Sequence, residues 1–194
     1  MTKKKKKRHK KKISRKELIF DLVLFGIIAV IAIVTVIYRY TGRGSASIKG
    51  SITAYFDAIN KEDAKKYIKV CYPKKWSENY KPDGNDVDLS NIVENVFVYQ
   101  SGFEYSDVDI KNREKLEDIF VNRINKGIKD IYGVDLKISE CYRVRFSMKM
   151  SYEYEGEYHK DDTGVIVRYI YKCNGKWYYL ADSLLLVDLN LNEQ

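Results

Sequence analysis

From Leu22 to Tyr38 the chain runs seventeen residues without a charge, Leu-Val-Leu-Phe-Gly-Ile-Ile-Ala-Val-Ile-Ala-Ile-Val-Thr-Val-Ile-Tyr. As a helix that run is about 26 Å long, and adding Leu18 to Asp21 brings it to about 31 Å. A hydrocarbon core is about 30 Å thick. A lone apolar segment in lipid must satisfy its own backbone hydrogen bonds, so it is expected to cross as a helix. Before it stand Lys3, Lys4, Lys5, Lys6, Lys7, Arg8, Lys10, Lys11, Lys12, Arg15 and Lys16, whereas only Arg39, Arg43 and Lys49 follow closely. Positive flanks stay on the cytoplasmic side, so the spacing predicts a cytoplasmic N-terminus and an extracellular C-terminal body. The apolar run is longer than the h-region of a cleaved signal, which predicts an uncleaved signal anchor. The expected organisation is a polybasic tail at 1–17, a transmembrane helix at 18–40, a short linker at 41–50 and a domain at 51–194. The tail should also hug anionic lipid headgroups.

Charge separates the tail from the rest. The 194 residues carry 35 Lys plus Arg and 27 Asp plus Glu, and eleven of those basic residues lie in the first sixteen positions. From Gly44 onward acids outnumber bases by three. A folded nucleic-acid-binding domain would carry its basic footprint on the body, so no nucleic-acid partner is expected. Only two histidines are present, His9 and His159, and His9 lies in the tail. That leaves little material for histidine-based metal or nucleophile chemistry.

In the body, Ile52, Tyr55, Phe56 and Ile59 fall at helical spacing, and Ala64, Tyr67, Ile68 and Cys71 repeat it. Asn60 reads as the N-cap of the second helix, and Tyr72-Pro73 as its stop. Lys74 to Asp88 reads as a polar loop. Asn91–Tyr105 fits helix and strand alike. A further helix is expected from about Ile110 to Tyr132, ended by Gly133 as a left-handed cap.

The period then changes. Tyr142, Val144, Phe146, Met148, Met150, Tyr152 and Tyr154 alternate with polar residues over fourteen positions, about 46 Å of strand if unbroken. After a turn region at Gly156–Gly164, the Asn174-Gly175 pair marks a hairpin that sets Cys173 opposite Lys176, Lys172 opposite Trp177 and Tyr171 opposite Tyr178. One face of this hairpin then carries Val165, Val167, Tyr169, Tyr171, Tyr178 and Leu180. The other carries Ile166, Ile170, Trp177 and Tyr179. A sheet apolar on both faces needs cover on both. If the helices take one, the Ile166, Ile170, Trp177 and Tyr179 face becomes a candidate interaction surface, for a second copy, for an envelope protein, or for the tail Leu184–Leu191.

An amphipathic helical pair, a further helix and a curved antiparallel meander together resemble the nuclear-transport-factor-2-like (cystatin-like) α+β fold. The opening Ile52-Thr-Ala-Tyr-Phe-Asp-Ala-Ile-Asn-Lys-Glu-Asp-Ala-Lys-Lys-Tyr-Ile68 and the closing Tyr171-Lys-Cys-Asn-Gly-Lys-Trp-Tyr-Tyr179 carry the resemblance. The whole is also similar to membrane-anchored envelope proteins of low-GC Gram-positive bacteria with lumazine-binding-like domains. The resemblance implies a cone formed by sheet and helices.

No position matches a catalytic signature of that fold, so no catalytic residue, cofactor or metal ligand is assigned. His159 lies in a turn among Glu157, Lys160, Asp161 and Asp162, where a solvated loop histidine is the ordinary reading. The cysteines at 71, 141 and 173 lack metal-ligand spacing. Arg143, Arg145 and Lys149 form either a solvated strand face or a site for anionic wall polymer or lipid. The expected function is a non-enzymatic binding or interaction module anchored in the cell membrane. Two alternatives stay open: an assembly subunit of a conjugation or type IV secretion-like machine, and a small-ligand binder or enzyme using the cone.

Overall fold

The computed structural model describes residues 24–31 and 42–189, and the chain divides into one unit before Gly42 and one from Gly42 onward. In the first unit residues 24–31 are helical (α1), and Phe25, Ile27, Ile28 and Val30 are exposed. Among the described residues no helix is long and apolar enough to cross a membrane. The ends of the expected span 18–40 and the whole tail, Lys3 to Lys16, lie outside the described residues.

The second unit is α+β, helices first and then a curled antiparallel sheet. The Ser47 hydroxyl accepts from Gly50 N–H and opens α2, Ile48–Asn60. Asp63, not Asn60, caps α3, Ala64–Cys71, by accepting from Lys66 N–H at 2.9 Å. Asn60 is drawn away because its amide pairs with a distant strand, described below. Lys74–Asp88 is more structured than expected: it contains α4, Lys74–Ser77, and a 3₁₀ turn, Pro82–Gly84. Trp76 and Tyr80, one in α4 and one just after it, are both buried.

The ambiguous stretch resolves as both readings in turn. Helix α5 spans Leu89–Gln100, Gly102 turns at positive φ, and β1 spans Phe103–Lys115. The helix expected from Ile110 therefore begins only at Asp118 (α6, Asp118–Tyr132), capped at Gly133 with φ 67° as anticipated. Ile110–Lys115 has one apolar residue in six and forms no helical stripe. Pairing against β2, where Ile110 opposes Phe146, is what fixes it as strand.

Strand β2, Ile138–Tyr154, is the long alternating element. It pairs with β1 along one edge, and its other edge is shared: β3, Glu157–Asp162, takes the far half and β4, Ile166–Cys173, the near half. The region expected as a turn thus holds a strand, its chain reversal being the positive-φ pair Glu155-Gly156. Strand β5, Lys176–Tyr179, returns in the expected register, with Asn174 (φ 51°) and Gly175 (φ 74°) making the turn. Beyond β5, Ser45 and Trp177 exchange backbone bonds of 2.8 and 2.9 Å. The chain ends its described part with α7, Ser183–Asp188, where Leu185 is buried.

Helix α2 packs against β1 at one side of the sheet and β5 at the other. Between them aromatic rings fill the space. Tyr55 stacks on Tyr179 with centroids 3.7 Å apart, and Phe56 meets Phe146, Tyr105 and Tyr179. The face carrying Ile166, Ile170 and Tyr179 is therefore the one the helix covers.

Candidate interaction surface

The four residues expected as an interaction surface lie at different depths. Ile170 and Tyr179 are fully buried, and Ile166 and Trp177 are half-buried. Trp177 is edge-on to Tyr142, with the Lys172 ammonium over its ring and Lys172 bound to Glu140. The physical reason is the stacking of Tyr55 on Tyr179, which brings α2 onto this face. The opposite face of the same hairpin is also buried at its turn end: Tyr171 stacks on Tyr178 and donates to Cys71 O at 2.7 Å. Near the turn, both faces of this ladder carry fully buried rings, Tyr179 on one and Tyr171 on the other.

Beside Tyr171 lies a second buried assembly. The Asp182 carboxylate accepts from Tyr132 Oη at 2.6 Å and Leu185 N–H at 2.9 Å through Oδ1. Through Oδ2 it accepts from Tyr80 Oη at 3.0 Å and Tyr72 Oη at 3.4 Å. Burial, and then the negative Asp182 beside them, raise the pKa of all three phenols, so they remain protonated donors. Four donors occupy both oxygens, which makes this an anchor for the start of α7. The Trp76 indole packs on Tyr72 and Tyr132, and its buried N–H has no protein partner.

The cysteines are free and buried, and burial pushes the Cys141 thiol up to about 12. Such thiols are poor nucleophiles. Among the described residues no group of three or more His, Cys, Asp or Glu is placed to hold a metal ion. The strand face of Arg143, Arg145 and Lys149 is partly neutralised: Arg143 grips Glu114 through Nε and Nη2, and Lys149 binds Asp162 at 2.8 Å.

The far end of the sheet carries a row of rings that reaches the surface. Register places Phe103, Tyr152 and His159 side by side across β1, β2 and β3, with Tyr154 next along β2. Their rings form one row: Phe103 to Tyr152 at 5.6 Å, Tyr152 stacked on His159 at 5.3 Å, and His159 to Tyr154 at 6.3 Å. Alternation puts this row on the same sheet face as Tyr105 and Met150, and so continues the face that α2 covers further down. Here the rings come to the surface, and Tyr154 is 60% exposed. Tyr158, on the opposite face, is 70% exposed. The Tyr152 hydroxyl donates to Asp161 Oδ2 at 2.8 Å, and this bond raises the pKa of the phenol.

His159 lies in β3 and not in the turn expected over Gly156–Gly164. The available signal was the Tyr-Glu alternation on both sides of Glu155-Gly156, which is a hairpin pattern in acidic dress. A row of rings with carboxylates at its margin can stack on a flat or cationic group. No family model, curated protein or solved structure matches the chain.

Proposed function

We propose that this protein is a single-pass membrane protein whose extracytoplasmic domain, of nuclear-transport-factor-2-like type, is a non-enzymatic interaction module of the cell envelope. The observation that carries the reading is the row of rings Phe103, Tyr152, His159 and Tyr154, in which Phe103 and Tyr154 are exposed and Tyr152 and His159 half-buried between them. Surface rings in a continuous row mark a place where another molecule settles. The space under α2 is packed with the rings of Tyr55, Phe56, Phe146 and Tyr179. The anchor is read from the apolar run and its polybasic flank, and the exposed apolar side chains of α1 on successive helical positions agree with a lipid solvent. The N-terminus then lies in the cytoplasm, its lysines against anionic headgroups, and the domain outside.

Topology is tested on intact cells, where external protease should remove the domain and carbonate should leave the anchor in the membrane. The interaction role is tested with a photoreactive residue at position 154 and a control at exposed Ile119 on α6. A discrete crosslinked species from position 154 alone supports the reading. Equal, diffuse labelling from both positions sinks it.

A further inference from the structure

We infer that the far end of the sheet docks a lysine- and arginine-rich segment of a partner protein. This rests on the interaction-module reading above and adds the chemistry of the partner. The first ground is geometric: the ring row is a sheet face whose helix cover stops at Tyr105, where Phe56 makes the last ring contact from α2. The second is charge. Residues 153–162 carry Glu153, Glu155, Glu157, Asp161 and Asp162 against a single Lys160.

Placement matters more than count. In the β2–β3 register Glu157 opposes Tyr154, and Asp161 lies two positions along from His159, so both carboxylates share the face of the rings. The counterion that Lys149 supplies goes to Asp162, on the opposite face. Guanidinium and ammonium groups bind over tyrosine faces and are held there by flanking carboxylates. Anionic polymers and nucleic acid are repelled by the same carboxylates. A neutral apolar partner would leave Glu157 and Asp161 desolvated against it, a penalty that a basic segment avoids. The body as a whole is acidic by three charges, which steers a basic segment toward it from a distance.

The test uses the full chain in zwitterionic nanodiscs and fluorescent octa-arginine as the probe, read by anisotropy. Saturable binding is expected, weakened about tenfold by Tyr154→Ala and by the pair Glu157→Gln with Asp161→Asn. It should also fall steeply between about 50 and about 300 mM salt. All three positions are exposed, so the thermal melt of each variant should match the parent. Absence of saturable binding overturns the inference, as does binding that the variants leave unchanged. Tighter binding of a neutral oligosaccharide to the same residues, or a dimer that Tyr154→Ala dissolves, overturns it as well. If position 154 crosslinks a discrete partner in cells while octa-arginine fails to bind, the basic-partner inference falls and the interaction-module reading stands.

Discussion

Asn60 and Tyr105 exchange two hydrogen bonds across forty-five residues of sequence: Asn60 Nδ2 donates to Tyr105 O at 2.7 Å, and Tyr105 N–H donates to Asn60 Oδ1 at 2.9 Å. A side-chain amide thus completes the outer edge of β1 as a neighbouring peptide would. Asn125 repeats the device on Ile138, with bonds of 3.2 and 3.0 Å. Two helices, α2 and α6, are docked to the sheet by the same chemistry.

Replacing Asn60 with Asp keeps the shape but removes the donor, leaving Tyr105 O facing a carboxylate. Asn60→Asp loses one bond and sets a carboxylate against Tyr105 O, Asn60→Ala loses both bonds, and each should lower unfolding free energy by about 1–2 kcal/mol at this partly wet site. Urea unfolding of the detergent-solubilised chain measures it. No loss in either variant would show that the pairing contributes nothing.

The Asp182 assembly grades its own contacts. Bond lengths of 2.6, 3.0 and 3.4 Å from Tyr132, Tyr80 and Tyr72 rank the cost of phenylalanine replacements in that order. Tyr132→Phe should cost about 1.5–3 kcal/mol, as a bond to a charged acceptor, and Tyr72→Phe well under half of that. Asp182→Ala strands three buried hydroxyls and should exceed any single tyrosine change. Equal effects from all three tyrosines would contradict the ranking.

Two glycines with the same φ of 67° separate strain from crowding. A Cβ on Gly133 meets nothing within 4 Å, so Gly133→Ala should cost only the left-handed penalty, about 1–2 kcal/mol. A Cβ on Gly44 would lie 2.8 Å from Tyr178 Cζ and 3.0 Å from Trp177 O. Gly44→Ala should therefore cost about 1–3 kcal/mol more than Gly133→Ala. Thermal unfolding of the two variants side by side decides the point.

Alkali should unfold the domain. Burial raises the phenol pKa values of Tyr55, Tyr67, Tyr72, Tyr171 and Tyr179 above their ordinary value, while the unfolded chain ionises them near pH 10. A folded-state pKa above the unfolded one means that this stability is intact below about pH 10 and is lost as pH climbs past it. Absorbance of tyrosinate at 295 nm should rise in step with loss of the circular dichroism of the fold. Complete ionisation with the fold intact would show the rings to be open to water. The three thiols should behave in parallel, reacting with a disulfide reagent only once the chain unfolds.

Periodicity carried most of the fold. The α2 and α3 stripes, the Gly133 cap, the long alternation of β2 and the Asn174-Gly175 register are all encoded by spacing a few residues apart, and they stand in the structure as expected. Three assignments depended on contacts that spacing does not encode. Ile110–Lys115 is strand because β2 lies beside it, and Asn60 leaves its cap because Tyr105 lies across the fold. The burial of Ile170 and Tyr179 depends on which face α2 covers, and alternation alone does not assign a helix to one sheet face or the other. The candidate site was legible only in part, since alternating Tyr and Glu state a hairpin but not which rings meet across it.

Ser45 and Trp177 are joined by a reciprocal pair of backbone bonds, and Gly44 N–H reaches Lys69 O at 2.8 Å. A tensile load entering the domain at Gly42 therefore falls on these bonds before it reaches α2. It is shared at once between the end of α3 and the last hairpin, two places distant in chain order. Under such a load yielding should begin at these bonds rather than in the aromatic interior, like a strap parting at the buckle it is stitched to.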